Sequence, residues 1–202
     1  MSVYEWEGQD DRRVFNFDVD LARSQRQACD PMWREVYAQA FPRFQSMEYV
    51  IDIDGQRSGT DRLVTLAGGS VVRIEEKTDY TAYYNIFIEM WSDAERGVPG
   101  WIGRPLECDY IAYAFIERRQ CYLLPYHALR RAYFLNARQW IKDYKIRDIP
   151  NVCNGRRWTT KGIPVRIDRL RHDMNRALVV EWTGDPQAGD MTIVDDDEDA
   201  DV

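Results

Sequence analysis

The sequence predicts a single domain of the α/β class, more narrowly α+β, and three stretches carry that prediction. Residues 59–77 read as two aliphatic and β-branched runs joined by glycines, a β-hairpin. Residues 109–116 and 121–125 make a second strand pair across the turn Glu117-Arg118-Arg119-Gln120. Between His127 and Tyr144, Leu129, Tyr133, Ala137, Trp140, Ile141 and Tyr144 recur at three- and four-residue steps, the spacing of a helix with one buried face.

The remaining elements follow in chain order. Val14 to Phe17 predicts a short strand, and Asp18 or Asp20 is placed to cap a helix over Leu21 to Gln27. Asp30-Pro31 restarts a helix, with an acceptor at the cap and proline at the first helical position. Trp33, Val36, Tyr37 and Ala40 form its buried stripe, which Phe41-Pro42 ends, and Glu35 lies beside that stripe. Tyr49 to Gly55 reads as a strand entering an Asp-Gly turn, where turn chemistry accounts for Asp54 without a ligand. After the hairpin, residues 85–91 alternate: Ile86, Ile88 and Met90 share one face, and Asn85, Phe87, Glu89 and Trp91 the other. Ser92 to Leu106 is glycine- and proline-rich loop, with Trp101 expected to pin it to the core. Ile163 to Ile167 is at best a short edge strand because of Pro164, and Asp168 to Met174 closes the domain with a helical turn.

Composition bounds the function. A chain of 202 residues, 45% hydrophobic and 30% charged, suits one domain over 1–188 with a sizeable core. Residues 189–202 are expected to be a disordered tail, because the acidic run at 195–201 repels itself and has nothing to bury. No apolar run approaches the roughly 20 residues of a membrane span. The opening Met1 to Glu7 is acidic and unlike a signal peptide, so a cytoplasmic protein is expected. Cys29, Cys108, Cys121 and Cys153 contain no C-x-x-C pair, which predicts reduced thiols and no zinc site.

The net charge of −7 is unevenly spread. Arg118 to Arg176 holds fifteen Lys/Arg against four Asp/Glu, net +11, and the rest holds twelve against thirty, net −18. A basic half in an acidic protein is a footprint for phosphate backbones, although charged residues also simply solvate helix faces. Arg130, Arg131, Arg138 and Lys142 lie off the helix's buried stripe, and Arg156, Arg157 and Lys161 accompany Trp158 and two threonines. These seven are the candidate DNA-backbone contacts.

The hairpin carries the chemistry. Alternation places Glu75 and Lys77 on one face and Val72 and Ile74 on the other, and Asp61 opens the partner strand. Two carboxylates and an ammonium at one hairpin end suit a divalent cation and a phosphate transition state. Asp61 faces Glu75 only if Leu66 pairs with Ser70 around the loop Ala67-Gly68-Gly69. A two-residue Gly68-Gly69 turn would set Asp61 beside Glu76 instead. Serine or cysteine catalysis finds no support, since His127 and His172 sit in no recognisable motif, and neither a P-loop nor G-x-G-x-x-G occurs.

Gln56, Gly59-Thr60-Asp61-Arg62, Glu75-Glu76-Lys77, Glu89 and Gly100-Trp101 together resemble the PD-(D/E)XK nuclease superfamily, in particular phage and prophage members, over residues 18–170. Gly-Thr-Asp stands where the superfamily's Pro-Asp would be. The resemblance implies a restriction-endonuclease-like core, a central mixed β-sheet with a catalytic hairpin flanked by helices. It implies Mg²⁺ or Mn²⁺ held by Asp61, Glu75 and the Glu76 carbonyl, with Lys77 orienting water or offsetting charge, and Glu35 and Glu89 as additional candidates. The implied function is a metal-dependent deoxyribonuclease in phage DNA processing, recombination or repair, acting in the host cytoplasm. The competing reading is a nuclease-fold protein that binds nucleic acid or a partner protein without cutting. A third is a plain salt bridge of Lys77 with two carboxylates. Endo- or exonucleolytic action and oligomeric state stay open, a homodimer included.

Overall fold

The computed structural model describes residues 15–16, 31–52, 55, 58–80, 83–174 and 178–183. The helix expected over 21–27 with its caps, Asp30, Cys29, Gln56, Asp54 and the acidic tail lie outside the described residues. The fold is α+β, a mixed and curled central sheet flanked by helices.

The strands are β1 (Phe15–Asn16), β2 (Phe44–Tyr49), β3 (Arg62–Leu66), β4 (Val71–Asp79), β5 (Asn85–Asp93), β6 (Val98–Pro99), β7 (Tyr110–Phe115), β8 (Gln120–Pro125), β9 (Arg147–Cys153), β10 (Arg156–Arg166) and β11 (Leu178–Glu181). The described helices are α1 (Met32–Ala40), α2 (Tyr126–Tyr144) and α3 (Ile167–Met174). Hydrogen bonding divides the strands into a six-stranded part, β11-β8-β7-β4-β3-β2, and a five-stranded part, β1-β9-β10-β5-β6. Within the first, β2, β3 and β4 form an antiparallel meander, and β4 then runs parallel to β7. Parallel neighbours need a crossover. Here it passes through β5 and β6 of the other part.

The β3–β4 hairpin closes with the longer of the two turns, the one that sets Asp61 toward Glu75. Leu66 N–H donates to Ser70 O at 2.8 Å and Gly69 N–H to Leu66 O at 2.9 Å, around the three-residue loop Ala67-Gly68-Gly69. Gly68 and Gly69 take φ of +101° and +84°, a region that side chains disfavour.

Two apolar clusters lie on opposite faces of the six-stranded part. On one face α1 buries Trp33, Val36 and Tyr37 against Val64, Ile74, Ala112 and Leu123. On the other, Ile111, Tyr113 and Phe115 of β7 meet Ile86 and Ile88 of β5, Ile163 and Val165 of β10, and Leu129 and Trp140 of α2. Burying each such aliphatic side chain contributes about 1.5–3 kcal/mol, so the helical stripe holds α2 in place. Trp140 also donates its indole N–H to Asp173 of α3 at 2.7 Å. Trp101 is buried, as a loop pin would be. Cys108 and Cys121 are buried thiols.

Two expectations need correction. The strand placed at Tyr49 to Gly55 instead occupies Phe44–Tyr49, while Asp52 turns the chain by accepting Gly55 N–H at 2.8 Å. β5 pairs with β10 and β6, and β4 is flanked by β3 and β7. Pro164 does not limit its strand to a short edge piece: β10 runs eleven residues. β10 pairs with β9 only from Arg156 to Gly162 and with β5 from Lys161 to Arg166, so at Pro164 one side of the strand has no ladder to interrupt. The β9–β10 hairpin, unanticipated, turns at Asn154-Gly155 with φ of +48° and +77°, the geometry that this dipeptide favours.

Candidate active site

The register places the site on the face of β4 that looks toward β5. Arg62 aligns with Ile74, Leu63 with Arg73, Val64 with Val72 and Thr65 with Val71. Continued one step, this alignment sets Asp61 against Glu75. There the ladder bends: Asp61 N–H donates to Ile74 O at 2.9 Å although Ile74 is already aligned with Arg62. Two residues addressing one is the pattern of a β-bulge, which re-aims a side chain. The Asp61 carboxylate then accepts Glu76 N–H at 2.8 Å, fixing it over β4.

Glu75 and Lys77 share their face, as alternation requires, with Ile111 and Tyr113 of β7 as lateral neighbours. Glu75 is 6% exposed. Its Oε1 accepts from Lys77 Nζ, and its Oε2 is buried with no hydrogen-bond partner. Burial opposes the Lys77 charge, but Glu75, Asp61 and Glu89 outweigh it and raise the ammonium's pKa. Burial first, and then Glu75, push Asp61 up to about 6. Glu89 is also raised, by burial, against the pull of Lys77, Arg104 and the Trp101 N–H. Glu89 thus reaches the site electrostatically from the second sheet rather than from a neighbouring strand. Burial raises the Cys108 thiol near Glu75 to about 12, which removes it as a thiolate nucleophile.

The Glu76 side chain points to the opposite face. Its Oε1 accepts from Tyr37 Oη at 2.7 Å and Arg62 Nε at 2.9 Å, and its Oε2 from Arg62 Nη2 at 3.0 Å. Glu35 is likewise remote from the hairpin face: its Oε1 accepts from Thr183 N–H at 3.0 Å and Thr183 Oγ1 at 3.2 Å. The structure therefore brings together Asp61, Glu75, Lys77 and Glu89, and not Glu35. Arg104, which no sequence motif singles out, joins them from the loop before Leu106.

The basic candidates divide by environment. Arg131, Arg138 and Lys142 of α2 and Arg157 of β10 are exposed. Arg130 lies over the Phe134 ring at 5.2 Å, with its Nε buried. Arg156 pairs with Asp93 and covers Trp158 at 5.3 Å, and Lys161 pairs with Asp148 at 3.3 Å.

Among the described residues, no three His, Cys, Asp or Glu side chains sit close enough to enclose a metal ion. Asp61 and Glu75 fit a more open arrangement, since Glu75 Oε2 is an anionic oxygen left without a partner and Mg²⁺ keeps several waters beside one or two carboxylates. Comparison with known proteins adds no relative: no family model, no curated protein and no solved structure matches the chain.

Proposed function

We propose that this protein is a metal-dependent deoxyribonuclease of the PD-(D/E)XK type, with a restriction-endonuclease-like core and a site at Asp61, Glu75 and Lys77. The observation that carries the reading is the buried, unpartnered Glu75 Oε2 on the same strand face as Lys77 and opposite Asp61. An unsatisfied buried carboxylate oxygen is costly unless a cation completes it.

Asp61 and Glu75 would hold Mg²⁺ or Mn²⁺, with the Glu76 carbonyl alongside. A divalent cation there supplies Lewis acidity and neutralises the scissile phosphate. Lys77, kept cationic by Glu75, Asp61 and Glu89, orients the attacking water and offsets charge as the phosphorane forms. The exposed Arg131, Arg138, Lys142 and Arg157 suit contacts to the DNA backbone, which position a substrate without reading its sequence.

Purified protein incubated with linear, circular and branched DNA in Mg²⁺, Mn²⁺ or EDTA tests this. Metal-dependent cleavage is expected, with loss in Asp61→Ala, Glu75→Ala and Lys77→Ala. Protein inert on every DNA form, with no metal uptake by calorimetry, sinks the reading. The Glu75–Lys77 ion pair also fits a site that serves structure rather than cutting, and the alternative is then a nuclease-fold protein that binds DNA or a partner. DNA binding that persists in EDTA without cleavage in either metal is its signature.

A further inference from the structure

We propose that Arg104 binds a non-bridging oxygen of the scissile phosphodiester from the Glu89 side of the site; this rests on the nuclease reading of the same site. Three structural features converge on it. The loop from Gly100 to Leu106 lies against β5 at Glu89. A side chain at Gly100 would put its Cβ 2.3 Å from the Glu89 carbonyl oxygen and 2.7 Å from Glu89 Cγ, so only glycine allows this approach. Arg104 N–H then returns to Gly100 O at 3.3 Å, and Ile102 N–H reaches Glu89 O at 3.4 Å.

The loop is also anchored from below. Tyr126 Oη donates to the Arg104 carbonyl and lies 3.2 Å from the Trp101 carbonyl, while Leu106 N–H donates to Tyr126 Oη at 3.4 Å. Trp101, Ile102 and Leu106 are buried around it. The base of the Arg104 side chain is thus held fixed, which spares the entropy of ordering a long chain when a ligand arrives. Yet Arg104 Nε is buried without a hydrogen-bond partner. A guanidinium carried on an anchored loop, with a donor unsatisfied, is prepared for an anion.

The balance of charge gives the same answer. Asp61, Glu75 and Glu89 oppose Lys77 and Arg104, leaving one negative charge among groups that act on one another. A divalent cation turns this into one positive charge, matched to the single charge of a phosphodiester. Without Arg104 the loaded site would be neutral and would have no excess charge for the second negative charge of the phosphorane.

Single-turnover cleavage by Arg104→Ala is expected to fall about 10²-fold or more, with DNA affinity in EDTA changed far less. Added methylguanidinium should restore part of the rate, which it would not do for a residue that only shapes the loop. Arg104→Lys and Arg104→Gln keep the stem and serve if the alanine variant fails to fold. Cleavage at the wild-type rate, or loss without rescue, overturns the proposal. Should the wild type prove inert on DNA, phosphorus NMR titration with dimethyl phosphate still decides: binding by wild type and not by Arg104→Ala upholds the anion site while the nuclease reading falls. Equal binding by both, or none by either, ends it.

Discussion

Arg62 and Glu76 form a doubly hydrogen-bonded ion pair behind the site, with side chains 4% and 7% exposed and contacts of 2.9 and 3.0 Å. Each is the chain neighbour of a site residue, Arg62 of Asp61 and Glu76 of Glu75 and Lys77. Tyr37 Oη caps the pair from α1 at 2.7 Å, and the Tyr49 ring lies under the Arg62 guanidinium at 5.2 Å. The back of the hairpin is thereby locked to α1, and the front inherits its register.

Breaking this pair from one side leaves an uncompensated buried charge. Arg62→Met or Glu76→Gln should therefore lower the unfolding free energy by about 3–5 kcal/mol, with an apolar double replacement recovering much of it. Urea midpoints at constant slope measure both. Single variants as stable as the wild type would show that the pair contributes little.

Stability and activity should separate between two adjacent glutamates. Glu75→Gln is expected to lose cleavage by about 10²-fold or more at a smaller stability cost than Glu76→Gln, because Asp61 and Glu89 still oppose the Lys77 charge. Glu76→Gln is expected to lose stability first. Full activity in Glu75→Gln beside a catalytic loss in a well-folded Glu76→Gln would assign the site to the wrong face of β4.

The Asp61 carboxyl, pushed up to about 6, has a signed pH dependence. Its folded pKa lies above the ordinary 3.8, so its contribution is fully present below 3.8 and is lost as pH rises toward and through about 6. Asp61→Asn should be more stable than wild type at pH 7.5 by roughly 1–3 kcal/mol, a difference that shrinks toward pH 4. A cation competes for the same oxygens with that proton, so Mg²⁺ affinity should climb through pH 6 and then level. A calorimetric affinity flat from pH 5 to 7 would remove Asp61 from the metal's ligands.

The loop sets the pairing of the two strands, and its length is testable. Gly69→Ala keeps the length and meets no atom within 4 Å, so it should cost about 1 kcal/mol for the left-handed backbone and leave cleavage intact. Deleting Gly69 leaves Ala67-Gly68 as a two-residue turn with Leu66 still opposite Ser70, so Asp61 stays against Glu75 and cleavage should survive. Loss of cleavage in a well-folded deletion variant would show that the Leu66–Ser70 pairing does not by itself hold Asp61 in place.

DNA binding should depend on the exposed cations of α2 and β10. Replacing Arg131, Arg138, Lys142 and Arg157 with alanine is expected to weaken binding and flatten its salt dependence by up to about 0.9 for each phosphate that is no longer neutralised. Fluorescence anisotropy across a salt series reads the slope. An unchanged slope places the nucleic-acid surface elsewhere.

Local pattern alone determined several features. Alternation along residues 71–79 assigned Glu75 and Lys77 to one face and Ile74 to the other, because the period of two is a property of the strand itself. The glycines at 68 and 69 foretold a hairpin turn, whose three-residue length was the condition for Asp61 to face Glu75, and the spacing from Leu129 to Tyr144 foretold α2. What local pattern does not contain is neighbourhood. β5 shows the same alternation whether it pairs with β4 or with β10, so its place in the other part of the sheet was decided by packing of Ile86 and Ile88 against Ile111, Tyr113 and Phe115. Half-buried strands such as β2 alternate too weakly to fix their ends. The Arg62–Glu76 pair, the remoteness of Glu35 and the reach of Arg104 toward Glu89 depend on which elements lie against one another. Coulombic and hydrogen-bonding forces act across space, and only the tertiary structure sets those distances.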